Sequence, residues 1–109
     1  MRHFYMTVIQ RRDDYEGAFA TEPFEAAWAS EAIFFVRVEK IHAETLVNAR
    51  VQISADGLNW IDEGTALAEQ SAEGNAFIRV SHFGGWLRLA GEVSGSGPAQ
   101  LTVQLALKE

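Results

Sequence analysis

The chain has 109 residues, of which 48% are hydrophobic, and this is enough for one globular domain, residues 1–109, with a single core. It contains no cysteine, which excludes disulfide bonds and thiolate chemistry. Fifteen acidic residues against nine lysines and arginines give a formal net charge of −6, which argues against nucleic acid as a partner because phosphate binding requires clustered positive charge.

The N-terminal half contains the least regular segments. No apolar run has the length of a signal peptide or a membrane span, so we expect a non-exported, cytoplasmic protein that has no membrane partner. Residues 4–9 are apolar and rich in strand-forming residues. Residues 21–30 are ambiguous, because Thr21 could cap a short helix and the same residues could alternate along an irregular edge strand.

From residue 33 onward the hydrophobic pattern has a period of two, which is typical of strands with one buried face. In residues 47–54 and 101–108 nearly every second residue is aliphatic. In residues 33–38 the polarity of the neighbouring positions places Phe34 and the two valines in the core. Ile33 and Phe35 therefore fall on the opposite side of that strand, and we predict that they form an apolar surface.

Residues 54–60, with the sequence SADGLNW, connect two of these strands. An Asp-Gly pair between alternating runs is a strong signal for a hairpin turn. Such a turn places Ile53 opposite Trp60 and makes Trp60 a core residue. A calcium loop would need oxygen ligands at alternate positions, and Ala55 and Leu58 interrupt that series. We therefore predict a structural turn here and no metal site.

Two glycine-rich segments predict the arrangement of the last three strands. Gly84-Gly85 indicates a two-residue hairpin turn, which places Val80 opposite Leu89. A loop at residues 94–98 then places Leu89 opposite Val103. Both turns bring large aliphatic residues to one face, so we predict a three-stranded meander.

Turn signals recur about every ten residues and separate about eight strands. This spacing predicts an all-β fold, an antiparallel β-sandwich with a jelly-roll-like arrangement. A closed barrel is the competing architecture.

A local pattern resembles a known family. Ser54, Asp56, Gly57 and Trp60 form the motif S-x-D-G-x-x-W, which is followed by Trp86-Leu87-Arg88-Leu89. This combination resembles part of the discoidin-like (F5/8 type C) and related carbohydrate-binding β-sandwich domains. The resemblance covers residues 47–93 and implies a sandwich fold and a binding role. It concerns scaffold positions, so no ligand-binding residues are carried over.

The sequence contains no recognisable catalytic or metal-binding motif. His3, His42 and His82 lie on separate segments without the spacing of zinc ligands. Ser81 and His82 are neighbours on a strand and point to opposite faces, and the acidic residues show no recognisable pairing. We expect no catalytic residue, no metal and no cofactor. An enzyme with a carboxylate or His82 in a cleft is the weakest alternative.

The predicted Gly84-Gly85 hairpin carries a candidate interaction surface on its outer face. Phe83 and Trp86 would pair at the tip, with Arg79 and Arg88 behind them. Such an aromatic pair can simply stabilise a hairpin. If exposed, the four side chains would instead form an apolar patch with positive charge, which suits contact with protein or stacking on a sugar.

The leading functional hypothesis is a non-enzymatic module for protein assembly or protein binding, with a homo-oligomer as one form of assembly. The alternative is a carbohydrate-binding module. Small cysteine-free jelly rolls also serve as structural modules, so a component of a virion or other particle is a further expectation.

Overall fold

Nine β-strands make up the regular structure of residues 4–109, the part of the chain that the computed structural model describes. Their bounds are β1 Phe4–Tyr15, β2 Gly17–Ala20, β3 Phe24–Glu25, β4 Glu31–Ile41, β5 Leu46–Ser54, β6 Ile61–Ala66, β7 Gly74–Ser81, β8 Trp86–Ser94 and β9 Ala99–Lys108. The ambiguous segment 21–30 contains the short strand β3, which pairs with β8. In this described range, no helix has the length and apolarity needed to cross a membrane.

The strands form two antiparallel sheets that pack face to face. The four-stranded sheet has the order β1-β9-β4-β7, and the five-stranded sheet has the order β2-β8-β5-β6 with β3 added against β8. This is the strand order of a jelly roll, in which the two sheets exchange strands along the chain. The predicted antiparallel sandwich is confirmed, and the two separate sheets exclude the closed barrel.

The core lies between the two sheets and consists of the inward-facing residues of both. Its largest fully buried side chains are Phe34, Leu87, Leu89, Leu101, Leu105 and Leu107. Burying one such side chain stabilises the fold by about 1.5–3 kcal/mol. The alternation in the sequence correctly identified these residues as inward-facing.

The three strands predicted as a meander do not pair with one another, and this prediction was wrong. β7 pairs with β4 in the four-stranded sheet, whereas β8 pairs with β5 and β2 in the other sheet. Val80 therefore lies opposite Ala32, and Leu89 lies opposite Val51. Alternation shows which residues face the core, but it is the same whichever of the two sheets holds the strand.

The segment between β7 and β8 crosses from one sheet to the other. A hairpin turn of the predicted type requires a positive φ at both central residues. Positive φ is found instead at His82, at 57°, and at neither Gly84 nor Gly85. The carbonyl of Gly85 accepts a hydrogen bond of 2.7 Å from the N–H of Ala26, which attaches the crossing segment to the β3 region.

The connection after β5 is a turn organised by Asp56, as the sequence predicted. Its carboxylate accepts hydrogen bonds from the backbone N–H groups of Leu58 and Asn59 at 2.8 and 2.9 Å. The side-chain amide of Asn59 and the hydroxyl of Ser54 each add a hydrogen bond at 2.9 Å. These bonds stabilise the ionised carboxylate and therefore hold the pKa of Asp56 well below its usual range.

Trp60 is not a core residue, which corrects the predicted register. Ile53 lies opposite Ile61 rather than Trp60, because the turn is longer than two residues. A shift of one residue in the pairing register of two strands turns a side chain to the other face of the sheet. Trp60 accordingly lies on the outside, where its ring contacts Arg88.

Candidate functional site

The structure separates the four residues that the sequence grouped into one patch. Arg79 lies on the outer face of the four-stranded sheet, and Arg88 lies on the outer face of the five-stranded sheet. Phe83 packs against the core, and Trp86 is half-buried beneath Gly57. Phe83 and Trp86 therefore do not form a cross-strand pair, because Phe83 lies in the segment that crosses from β7 in one sheet to β8 in the other.

The outer face of the four-stranded sheet carries a contiguous set of apolar side chains. The strand register connects Met6, Ala106 and Ile33 in one row across β1, β9 and β4. The next row contains Val8, the polar Gln104, Phe35 and Phe77. In it Phe35 and Phe77 are direct neighbours on β4 and β7. We call this set the apolar face, and its members are Phe4, Met6, Val8, Ile33, Phe35, Phe77 and Ala106.

Several members of the apolar face are open to solvent. The exposed fraction is 60% for Phe4, 47% for Met6, 52% for Phe77 and 37% for Phe35. The rings of Phe35 and Phe77 are in contact, with their centres 6.5 Å apart. Contiguous exposed apolar patches on globular proteins mark sites of interaction. The structure thus places the sequence-predicted Ile33 and Phe35 within a larger outward surface.

Charged residues surround the apolar face. On β4, β7 and β9 they are the cations Arg37, Arg79 and Lys108 and the acids Glu31 and Glu39. Two neighbouring strands add one charge of each sign: Arg12 of β1 lies 3.9 Å from Glu39, and Glu63 of β6 lines the same cavity as Arg79 and Lys108. These four cations and three acids give the described border a net charge of +1, whereas the whole chain carries −6. The guanidinium carbon of Arg79 lies 5.3 Å from the centre of the Phe77 ring, an arrangement typical of a cation–π contact.

The outer face of the five-stranded sheet has the opposite character. Arg88 Nε donates a hydrogen bond to Gln52 Oε1 at 2.7 Å, and Gln52 Nε2 donates to Asp62 Oδ1 at 2.9 Å. Arg50 Nε also contacts Asp62 Oδ1, at 3.1 Å. These hydrogen bonds, first from Gln52 and then from Arg50, lower the pKa of Asp62. The polar groups of this face thus bond to one another.

Trp60 covers part of that polar network. The guanidinium carbon of Arg88 lies 4.4 Å from the centre of the Trp60 ring. Partial burial, together with the nearby charge of Arg50, lowers the pKa of Arg88. The sequence did not predict this contact, because the register that it favoured turned Trp60 into the core.

The structure does not bring the described histidines together. His42 and His82 are both exposed and lie on different connections, and His3 lies outside the described residues. Among residues 4–109, no three histidine, aspartate or glutamate side chains are grouped so that they could hold a metal ion.

Sequence reasoning missed the contribution of β1 to the apolar face. Residues 4–9 are apolar at nearly every position, so their sequence does not show which side chains point outward. The pairing with β9 provides that information, because it places Met6 opposite Ala106 and Val8 opposite Gln104.

Comparisons with known proteins identify the fold. No protein-family model and no curated protein matches the sequence. The SPBc2 prophage-derived protein YomS has a similar structure, with a TM-score of 0.64 at 9% identity over 100% of this chain and 96% of that chain. The PBSX exported protein XepA gives a TM-score of 0.63 at 8% identity over 98% of this chain and 36% of that chain.

A third similar structure is that of infectious bursal disease virus, Gx strain. Its TM-score is 0.53 at 12% identity, over 100% of this chain and 32% of that chain. The present chain thus spans about a third of the XepA and virus chains and nearly all of the YomS chain. At such low identities the likeness shows a shared fold, and the similar structures are phage and viral proteins by name.

Proposed function

We propose that this chain is a non-enzymatic assembly module that binds a second copy of itself through the apolar face. The observation that carries the proposal is the exposure of Phe35 and Phe77, at 37% and 52%, side by side on an open sheet surface. Removing apolar surface from water contributes roughly 25 cal/mol per Å². A partner that covers these rings therefore gains a favourable free energy of association.

The charges at the border of the apolar face favour a second copy as that partner. Each end of the face carries both signs of charge, with Glu31 and Lys108 at one end and Arg37 and Glu39 at the other, where Glu39 also contacts Arg12 of its own chain at 3.9 Å. A two-fold interface brings the same surface of both copies together, so each acid can meet a cation of the other copy.

The overall charge of the chain supports the same choice of surface. Two copies that each carry a net charge of −6 repel one another over most of their surfaces. The described residues at the border of the apolar face have a net charge of +1, so repulsion between two copies is weakest when these faces meet. The phage and viral names of the similar structures agree with an assembly role, and a particle component is the cellular context that we propose.

Sedimentation equilibrium over a range of concentrations tests the proposal. The wild type should show a mass above the 12.1 kDa of one chain. Phe77→Asp should weaken association by about 2 kcal/mol or more, since aromatic anchors dominate interfaces. Leu58→Asp is the matched control, because Leu58 is 82% exposed on the turn after β5, and it should associate like the wild type. A wild type that stays monomeric up to about 1 mM would contradict the proposal.

Carbohydrate binding is the second candidate function, and one observation favours it. Trp60 lies on an outer sheet face beside Gln52 and Asp62, so an aromatic ring adjoins polar groups, as in many ligand sites. Arg88 already covers one side of the ring. Retention on immobilised glycans that is lost in Trp60→Ala would support this function, and a wild type that no glycan retains would exclude it.

A further inference from the structure

A second candidate site is an open pocket at one end of the sandwich, with a volume of about 610 Å³. We call it the aromatic pocket, and its lining residues are Phe4, Tyr5, Phe24, Glu25, Trp28 and Glu109. Phe4 also belongs to the apolar face. The other five residues lie outside that set, so the pocket can be tested separately.

Both sheets contribute to the walls of the aromatic pocket. Tyr5 comes from β1 in the four-stranded sheet, and Phe24 comes from β3 in the five-stranded sheet. Their rings stack with their centres 5.7 Å apart and an angle of 26° between the planes. The pocket therefore forms only when the two sheets pack together.

Backbone hydrogen bonds hold the segment that carries Trp28. The N–H of Ala26 donates to the carbonyl of Gly85 at 2.7 Å, and the N–H of Ala29 donates to the carbonyl of Ala26 at 3.0 Å. The N–H of Ser30 donates to the carbonyl of Lys108 at 2.9 Å. These bonds attach one end of the segment to the crossing segment before β8 and the other end to β9, so Trp28 occupies a defined position at the pocket.

The hydrophobic core accounts for Phe24, which packs against it, but not for the other three aromatic side chains of the pocket. Phe4, Tyr5 and Trp28 are 60%, 46% and 40% exposed, and none of them belongs to the buried core clusters. Three large exposed rings around one cavity form a concave surface of the kind that binds small groups.

The exposed rings and the Glu25 carboxylate indicate a cation as the occupant of the pocket. Among its described lining residues, the charged ones are Glu25 and Glu109, both acids. Aromatic faces attract cations through the negative potential of the ring, and carboxylates add a direct attraction.

We propose that the aromatic pocket binds an organic ammonium ion. The cation would lie against the faces of the exposed rings with its charge near the Glu25 carboxylate, as in aromatic cages for quaternary ammonium groups. A free quaternary ammonium compound and the ammonium group of a lysine side chain share this chemistry. This proposal is independent of self-association through the apolar face.

Calorimetric titration with choline and with 3,3-dimethylbutan-1-ol tests the role of the charge, because the alcohol has the same shape without the charge. Choline should bind the full chain about tenfold or more tightly than the alcohol. N-acetyl-lysine methylamide, titrated in parallel, shows whether a lysine side chain binds better than the free compound. Equal affinities for choline and the alcohol, or no binding of either ammonium probe, would overturn the proposal.

Variants show whether any binding occurs in the aromatic pocket. Glu25→Gln removes one charge and keeps an oxygen for the bond that Glu25 accepts from the N–H of Ala27 at 3.3 Å. It should weaken choline binding severalfold and leave binding of the alcohol unchanged, which a general structural defect would not do. Trp28→Ala should weaken choline binding about tenfold. Leu58→Ala, a change at a distant exposed residue, should leave choline binding unchanged. An equal loss of choline affinity in all three variants would refute the site.

Discussion

Arg88 and Trp60 form a stacked pair on the outer face of the five-stranded sheet, with the guanidinium carbon 4.4 Å from the ring centre. The contact joins a residue in the middle of β8 to the turn that precedes β6. It explains why a tryptophan can lie outside the core, since its ring shields a guanidinium that also bonds to Gln52.

This position of Trp60 predicts a modest effect of its removal. Trp60→Ala should lower the free energy of unfolding by about 1 kcal/mol, because an exposed cation–π contact contributes about 0.5–1 kcal/mol. Leu89→Ala, at a fully buried position, should cost about 2–5 kcal/mol. Urea denaturation of both variants measures these changes in the free energy of unfolding. Equal losses of unfolding free energy in the two variants would place Trp60 in the core.

The crossing between the two sheets predicts that Gly84 can be replaced. A Cβ atom added at Gly84 would meet its nearest neighbour, the carbonyl oxygen of Ser54, at 3.7 Å, an ordinary contact. Gly84 also lacks a positive φ, so Gly84→Ala should change stability by less than about 1 kcal/mol. Gly57→Ala is the contrasting variant, because Gly57 has a φ of 79° and its Cβ would lie 3.1 Å from the Trp86 ring. A large fall in the melting temperature of Gly84→Ala would instead favour the hairpin turn, which requires a positive φ at Gly84.

The hydrogen bonds to Asp56 predict a pH-dependent contribution to stability. These bonds lower the pKa of Asp56 in the folded state. The contribution of the Asp56 carboxylate to folding stability is therefore complete above its pKa in the unfolded chain, about 3.9, and is lost as the pH falls towards its pKa in the folded protein. Asp56→Ala should therefore lower the melting temperature at pH 7, and the difference from the wild type should narrow below about pH 4.

The matched control for Asp56 is Glu73→Ala, which changes an exposed acid just before β7. Melting curves of this variant should follow those of the wild type at every pH. A difference between wild type and Asp56→Ala that stays constant down to pH 2 would mean that the carboxylate charge is not what holds the turn.

The position of Trp86 predicts a structural role for this residue rather than one in association. Its ring is half-buried against Gly57, on the side of the sandwich opposite to the apolar face. Trp86→Ala should therefore reduce the free energy of unfolding by about 1–3 kcal/mol and leave self-association unchanged. Urea denaturation and sedimentation of this variant test the prediction. Loss of self-association with an unchanged free energy of unfolding would contradict it.

The sequence determined which side of each long strand faces the core. In β4, Phe34 is buried and its neighbours Ile33 and Phe35 point outward, as the alternation predicted. This inference succeeds because successive side chains of a strand point to opposite faces, whichever strands lie beside it. The Asp56 turn was equally predictable, since its hydrogen bonds connect residues within a few positions of one another.

Only the tertiary structure decided which strands are neighbours, and with them the composition of each outer surface. Val80 and Leu89 face the core whether their strands pair in one sheet or lie in two opposed sheets, so the same sequence pattern fits both arrangements. The choice depends on how all nine strands together bury their inward faces, a property of the whole sandwich rather than of any turn. For this reason Arg79 came to lie beside Phe77 on the apolar face, and Arg88 came to lie beneath Trp60 on the opposite side of the molecule.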